Sequence, residues 1–92
     1  MRIDRWLWTA RLFKTRGLAA EAVKGGRVHV EGVAAKPSRE VAPGDQLEIT
    51  IGAVRRTVIV RSAAARRVSA AEAAKLYEET AESIAARARQ SE

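Results

Sequence analysis

The hydrophobic period of this chain first changes at Gly25-Gly26. Before that pair, apolar residues recur at the 3.6-residue spacing of a helix. After it they alternate with the two-residue spacing of a strand. Runs of helix followed by runs of short strands specify an α+β domain, with two N-terminal helices packed on a small antiparallel sheet. Ninety-two residues provide for one such domain.

The helical part reads in two pieces. Over residues 3–13, Ile3, Trp6, Leu7, Ala10 and Phe13 fall on one side, and Asp4, Arg5, Trp8, Thr9 and Arg11 on the other. Thr15 is placed to cap a second helix over 16–24, with Leu18, Ala19, Ala22 and Val23 as its apolar stripe. Gly25-Gly26 ends that helix, because glycine takes a left-handed C-terminal conformation at no steric cost.

Residues 27–31 alternate, with Val28 and Val30 on one face. Glu31-Gly32 turns the chain into Val33-Ala34, and Lys36-Pro37-Ser38 breaks regularity. Pro43-Gly44-Asp45 precedes a strand carrying Leu47, Ile49 and Ile51, and a last strand around 55–61 points Val58 and Val60 inward. The helices and sheet thus occupy 1–61, a Ser/Ala/Arg linker 62–68, and a C-terminal helix 69–92 opened by the capping box Ser69-Ala-Ala-Glu72. The apolar stripe of that helix, Ala73, Leu76, Tyr77, Thr80 and Ile84, is weak.

The net charge is +6, and it is unevenly spread. Residues 1–40 hold nine Lys/Arg against four Asp/Glu, whereas residues 69–92 hold three against five. Positive charge of this density favours a polyanion through steering and counterion release. Cysteine is absent, so thiolate chemistry and cysteine–zinc sites are excluded. The single histidine, His29, lies on the outward face of a strand without a metal-ligating or catalytic companion. Gly25-Gly26 is neither a dinucleotide fingerprint nor a P-loop. The expectation is a protein with no catalysis, no metal, no cofactor and no small-molecule substrate. No apolar run approaches the ~20 residues of a membrane span, and the charged N-terminus does not read as a signal peptide, so a cytoplasmic location is expected.

Arg5, Arg11, Lys14, Arg16, Lys24 and Arg27 lie in or beside the two short helices. Lys14, Thr15 and Arg16 fall at the start of the second helix, where free amides and the helix dipole favour a phosphate. Trp6 and Trp8 project about 200° apart on a helix, so only Trp6 joins the core stripe. Trp8 then has two roles open to it: stacking on an unpaired base within the basic face, or lying under the C-terminal helix.

The ordered segments RIDRWLWTARLFKTRGLAAEAVKGGRVHVEG and KPSREVAPGDQLEI resemble the RNA-binding domain named after ribosomal small-subunit protein S4. The stretch DRWLW, the RLFKTR that follows it, and the later LYEETAESIAAR are similar more narrowly to the heat-shock protein fifteen family. That resemblance implies binding of ribosomal RNA, on a large ribosomal subunit carrying a stranded nascent chain on tRNA, and a stress-response context. It implies an RNA-facing surface on Arg5, Arg11, Lys14, Thr15, Arg16, Lys24, Arg27 and Lys36, with Ser38 and Arg39 nearby. Whether tRNA or DNA also binds stays open. Two rival readings share the fold: an assembly or targeting factor for another structured RNA, and a protein-interaction domain working through the C-terminal helix. Glu31 stands where the domain commonly has Asn, and a carboxylate there repels phosphate. Relatives often carry a basic C-terminal tail, whereas the last stretch of this chain is acidic.

Overall fold

The computed structural model describes residues 1–63 and 69–90. Helices α1 (Ile3–Thr9) and α2 (Arg16–Lys24) come first. Strands β1 (Val28–Val30), β2 (Val33–Ala34), β3 (Gln46–Ile51) and β4 (Val54–Val60) follow. A short helix α3 (Ala70–Ala73), a strand β5 (Tyr77–Glu79) and helix α4 (Ala81–Gln90) complete the order. The strands form one antiparallel sheet in the order β2-β1-β3-β4-β5. This is the expected α+β architecture.

Register explains the core. Val28 faces Ile49, Val30 faces Leu47, and Leu47 faces Val58. Period-two alternation therefore aligns Val28, Val30, Leu47, Ile49, Val58 and Val60 on one face, where all are buried. Ile3, Trp6, Leu7, Ala19, Ala22 and Val23 of the helices complete the cluster. Trp6 is fully buried, and its indole Nε1 donates to the Ser62 carbonyl at 2.8 Å. Burial of an indole N–H without that acceptor would carry a desolvation cost.

The first helix is shorter than the 3–13 expected and ends at Thr9. Arg11 adopts φ 59°, its amide donates to Trp8, and Leu12 N–H reaches back to the Leu7 carbonyl. That bond pattern is a Schellman stop, here with arginine in the left-handed position usually held by glycine. Burial of both Leu7 and Leu12 supplies the apolar contact that accompanies such a stop. The second helix has the expected bounds. Thr15 Oγ1 accepts from Leu18 N–H at 3.0 Å, and Gly26 at φ 75° makes the same stop as Arg11. Its buried face is Ala19, Ala22 and Val23, while Leu18 remains 52% exposed and leaves the expected stripe.

The C-terminal region departs most from expectation. In place of one helix over 69–92, Ser69 caps only one turn, and Tyr77–Glu79 pairs with Val58–Val60. Leu76 enters the core, and the Tyr77 ring meets the edge of Trp6 at 6.3 Å. Sheet hydrogen bonds and aromatic burial outweigh the helical propensity of the alanines. Helix then resumes at Ala81, where Thr80 Oγ1 accepts from Ser83 N–H. Of the expected linker 62–68, residues 64–68 lie outside the described residues, as do 91 and 92 of the expected terminal helix.

Candidate nucleic-acid interface

Asp4 anchors the polar face of α1. It was expected on the exposed side of that helix, yet it is 4% exposed. Its Oδ1 accepts from the Arg5 backbone N–H at 2.7 Å, its Oδ2 lies 3.2 Å from Arg2 Nη2, and Arg16 Nη2 stands 3.7 Å from Oδ1. One carboxylate thus ties the first turn of α1 to the first residue of α2. Both guanidinium groups keep about half their side-chain surface in solvent, 49% each. A guanidinium carries five N–H donors, so engagement with one carboxylate leaves others for a phosphate. Thr9, also expected outward, is buried too.

The remaining candidates are distributed around this group. Arg5 is exposed on α1, and Trp8 is half-buried there. Arg11, Lys14 and Thr15 are exposed in the α1–α2 connection, with the Thr15 hydroxyl engaged as the cap of α2. Arg39 is exposed and sits beside the N-terminal end of α1, because its carbonyl accepts from Ile3 N–H at 2.7 Å. Lys36 and Ser38 belong to the same turn, closed by Arg39 N–H donating to the Lys36 carbonyl at 2.9 Å. Lys24 and Arg27 are exposed at the other end of α2, roughly 12 Å along the helix from Arg16 at 1.5 Å per residue. The candidates therefore form one group at the start of the two helices and a smaller one at the far end of α2.

Arg2 was missed by reasoning from the basic residues in and beside the helices, because it precedes the apolar stripe. The usable signal was Asp4, a carboxylate two residues after Arg2 and on the helix that packs against Arg16. Glu31 adopts φ 50° in the β1–β2 turn, and its Oε1 accepts from Gln46 N–H at 2.9 Å. That bond gives the carboxylate a structural partner at a position where a non-glycine residue is strained.

A second polar cluster lies on the acidic side. Glu79 is 8% exposed at its side chain and receives a fork from Arg87, with Nε at 2.8 Å from Oε2 and Nη2 at 2.6 Å from Oε1. Ser83 Oγ donates to the same carboxylate at 2.6 Å, and Arg56 Nη2 lies 3.3 Å away. The Arg87 hydrogen bonds hold the Glu79 carboxyl down at about 2, overcoming the upward push of burial, with Ser83 and Arg56 adding to the effect. The Arg87 guanidinium is pushed up by the same contact. This cluster fixes α4 to the sheet. Among the described residues, no group of three or more His, Cys, Asp and Glu is placed to hold a metal ion. No helix among them is long and apolar enough to cross a membrane.

Two short helices on an antiparallel sheet, with exposed basic residues in and beside both helices, define the class, and the family profile described as the S4 domain matches residues 1–47. The chain belongs to the S4 domain family and, within it, to the heat shock protein 15 family. It is 50% identical to heat shock protein 15 of Escherichia coli K12 over 84 residues, covering 91% of this chain and 63% of that protein. It thus spans rather less than two thirds of that relative's length. The trimeric structure of heat shock protein 15 from Vibrio cholerae superposes with a TM-score of 0.94 at 46% identity, covering 98% of this chain and 91% of that one. A Listeria innocua protein named RQC P-site tRNA stabilizing factor is 46% identical over 52 residues, 56% of each chain.

Proposed function

We propose that this protein binds structured ribosomal RNA through the α1–α2 face, on a large ribosomal subunit that carries a stranded nascent chain on tRNA. It does so in the cytoplasm and without catalysis. The observation that carries the reading is the buried Asp4 holding two half-exposed guanidinium groups, Arg2 and Arg16, beside the turn that contains Arg39. A surface built to repel anions would leave Asp4 outward; here its charge is spent on orienting arginines. Arg5, Arg11, Lys14, Thr15, Lys36 and Ser38 extend the same face, Lys24 and Arg27 its far end, and Trp8 is the aromatic on it. The name of one relative, RQC P-site tRNA stabilizing factor, favours the ribosomal setting over another structured RNA.

The test is co-sedimentation with purified large subunits, with and without peptidyl-tRNA, over a salt series. Each phosphate contact contributes roughly 0.7–0.9 to the slope of log K against log salt, so a slope steeper than about −3 is expected. Binding that ignores salt, or equal binding to particles with and without peptidyl-tRNA, would refute the corresponding half of the proposal.

A further inference from the structure

A groove of about 480 Å³ opens beside the short edge strand β2. Val30, Val33 and Ala35 give it an apolar lining, and Glu31, Lys36 and Arg39 a charged one. Val33 is 70% exposed, so it contributes almost nothing to the core. Lys36 and Arg39 form no ion pair among the described residues. Glu31 spends Oε1 on Gln46 N–H, which leaves Oε2 as an acceptor at the groove.

This combination selects among ligands. A bare anion would meet Lys36 and Arg39 but also the Glu31 carboxylate. An apolar segment would fit Val33 but bring nothing to the three charged groups. A nucleotide supplies an anion, a flat apolar face and, for some bases, an amino group that donates to a carboxylate. The groove also adjoins the proposed interface. Arg39 bonds to Ile3 through its carbonyl, and Glu40 pairs with Arg2 in a one-residue bridge.

We propose that this groove is a pocket for one unpaired nucleotide of the bound RNA. Its base lies on Val33, its phosphate meets Lys36 and Arg39, and the amino-bearing edge of adenine, cytosine or guanine donates to Glu31. The proposal rests on the reading that the α1–α2 face binds RNA. Uracil has no exocyclic amino group, so it is the disfavoured base.

The test uses fluorescent single-stranded hexamers of adenylate, cytidylate and uridylate, and an RNA duplex without unpaired bases, with the full chain. The wild type binds the adenylate and cytidylate hexamers about fivefold tighter than uridylate, the lower end of what one specific base contact gives. Val33→Glu and the nearly isosteric Val33→Thr both weaken cytidylate binding, the first roughly tenfold, and leave duplex binding unchanged. Glu31→Gln keeps the bond to Gln46 and removes the preference against uridylate. Circular dichroism checks the fold of each variant, which an exposed edge residue should leave intact. Equal binding of all hexamers by the wild type, or undiminished cytidylate binding by both Val33 variants, overturns the pocket. Loss of subunit binding in Val33→Glu with every hexamer bound as before would mean a protein occupant, and overturns it equally. Failure of the underlying reading looks different: the duplex then fails to bind, or binds as well to Arg16→Ala as to the wild type.

Discussion

Replacing Glu79 by glutamine keeps the shape of the side chain and removes the charge to which Arg87, Ser83 and Arg56 converge. The carboxyl sits at about 2 in the folded chain against an ordinary 4.5. At 1.36 kcal/mol per unit, that difference corresponds to about 3 kcal/mol of folding stability at neutral pH. The Arg87 end of the fork remains 39% exposed and is screened by solvent, which lowers the expectation to about 2 kcal/mol. The sign follows from linkage. A carboxylate with a depressed folded pKa stabilises fully above 4.5, and its contribution fades as pH falls from 4.5 toward about 2. Urea unfolding of the wild type and Glu79→Gln, followed by far-ultraviolet circular dichroism at pH 7 and in steps down to pH 2.5, reads both quantities. With a urea m of about 1 kcal/mol/M, the midpoint should drop by about 2 M at pH 7. The gap between the two proteins should narrow steadily below pH 4.5. An unchanged midpoint at pH 7, or a gap that is the same at pH 2.5 as at pH 7, would refute the assignment of this cluster as the clamp of α4.

Arg16→Ala and Arg2→Ala should each weaken RNA binding by roughly 1–2 kcal/mol without unfolding the domain, as titrations at one salt concentration would read. Arg89→Ala, in the exposed last turn of α4, is the matching control, whereas Arg87 is unsuited because it is bound to Glu79. Arg11→Gly should raise the melting temperature while lowering RNA affinity, since glycine relieves a left-handed residue worth about 1 kcal/mol. A fall in the melting temperature would contradict that reading. Trp6→Phe should cost about 2 kcal/mol in denaturant unfolding, from the lost bond to Ser62 and the void beside Tyr77.

The fold of the first sixty residues was legible because local signals and burial agree there: Thr15 caps, Gly26 stops, and alternation points Val28, Leu47 and Val58 inward. Three features were not. Arg11 ends α1 in a conformation arginine disfavours, so no local preference announces it; the stop is imposed by burial of Leu7 and Leu12. Tyr77–Glu79 sits in sequence that favours helix, and it becomes strand only because β4 offers an edge and Trp6 an aromatic partner. Asp4 has the spacing of an exposed residue and is buried by arginines from both sides of it in the chain. Of the site, the individual cations could be read from sequence, but their division into a main group and a far pair at Lys24 and Arg27 depends on how α2 lies.

The two margins of the sheet are finished differently, and this bears on how the protein survives at high concentration. An open strand margin invites a second chain to add itself, the first step toward fibrous aggregates. At one margin β2 is two residues long and is followed closely by Lys36 and Pro37, too short and too interrupted to template another strand. At the other, β5 covers only the end of β4, and α4 takes over the rest: Ser83 Oγ accepts from Thr57 N–H, Thr80 N–H donates to the Thr57 carbonyl, and Gln90 reaches the Ala53 carbonyl. Loosening α4 would therefore do more than free a helix. It would uncover the stretch of the β4 margin that β5 leaves unpaired, from Val54 to Thr57, and open it as a template for self-association.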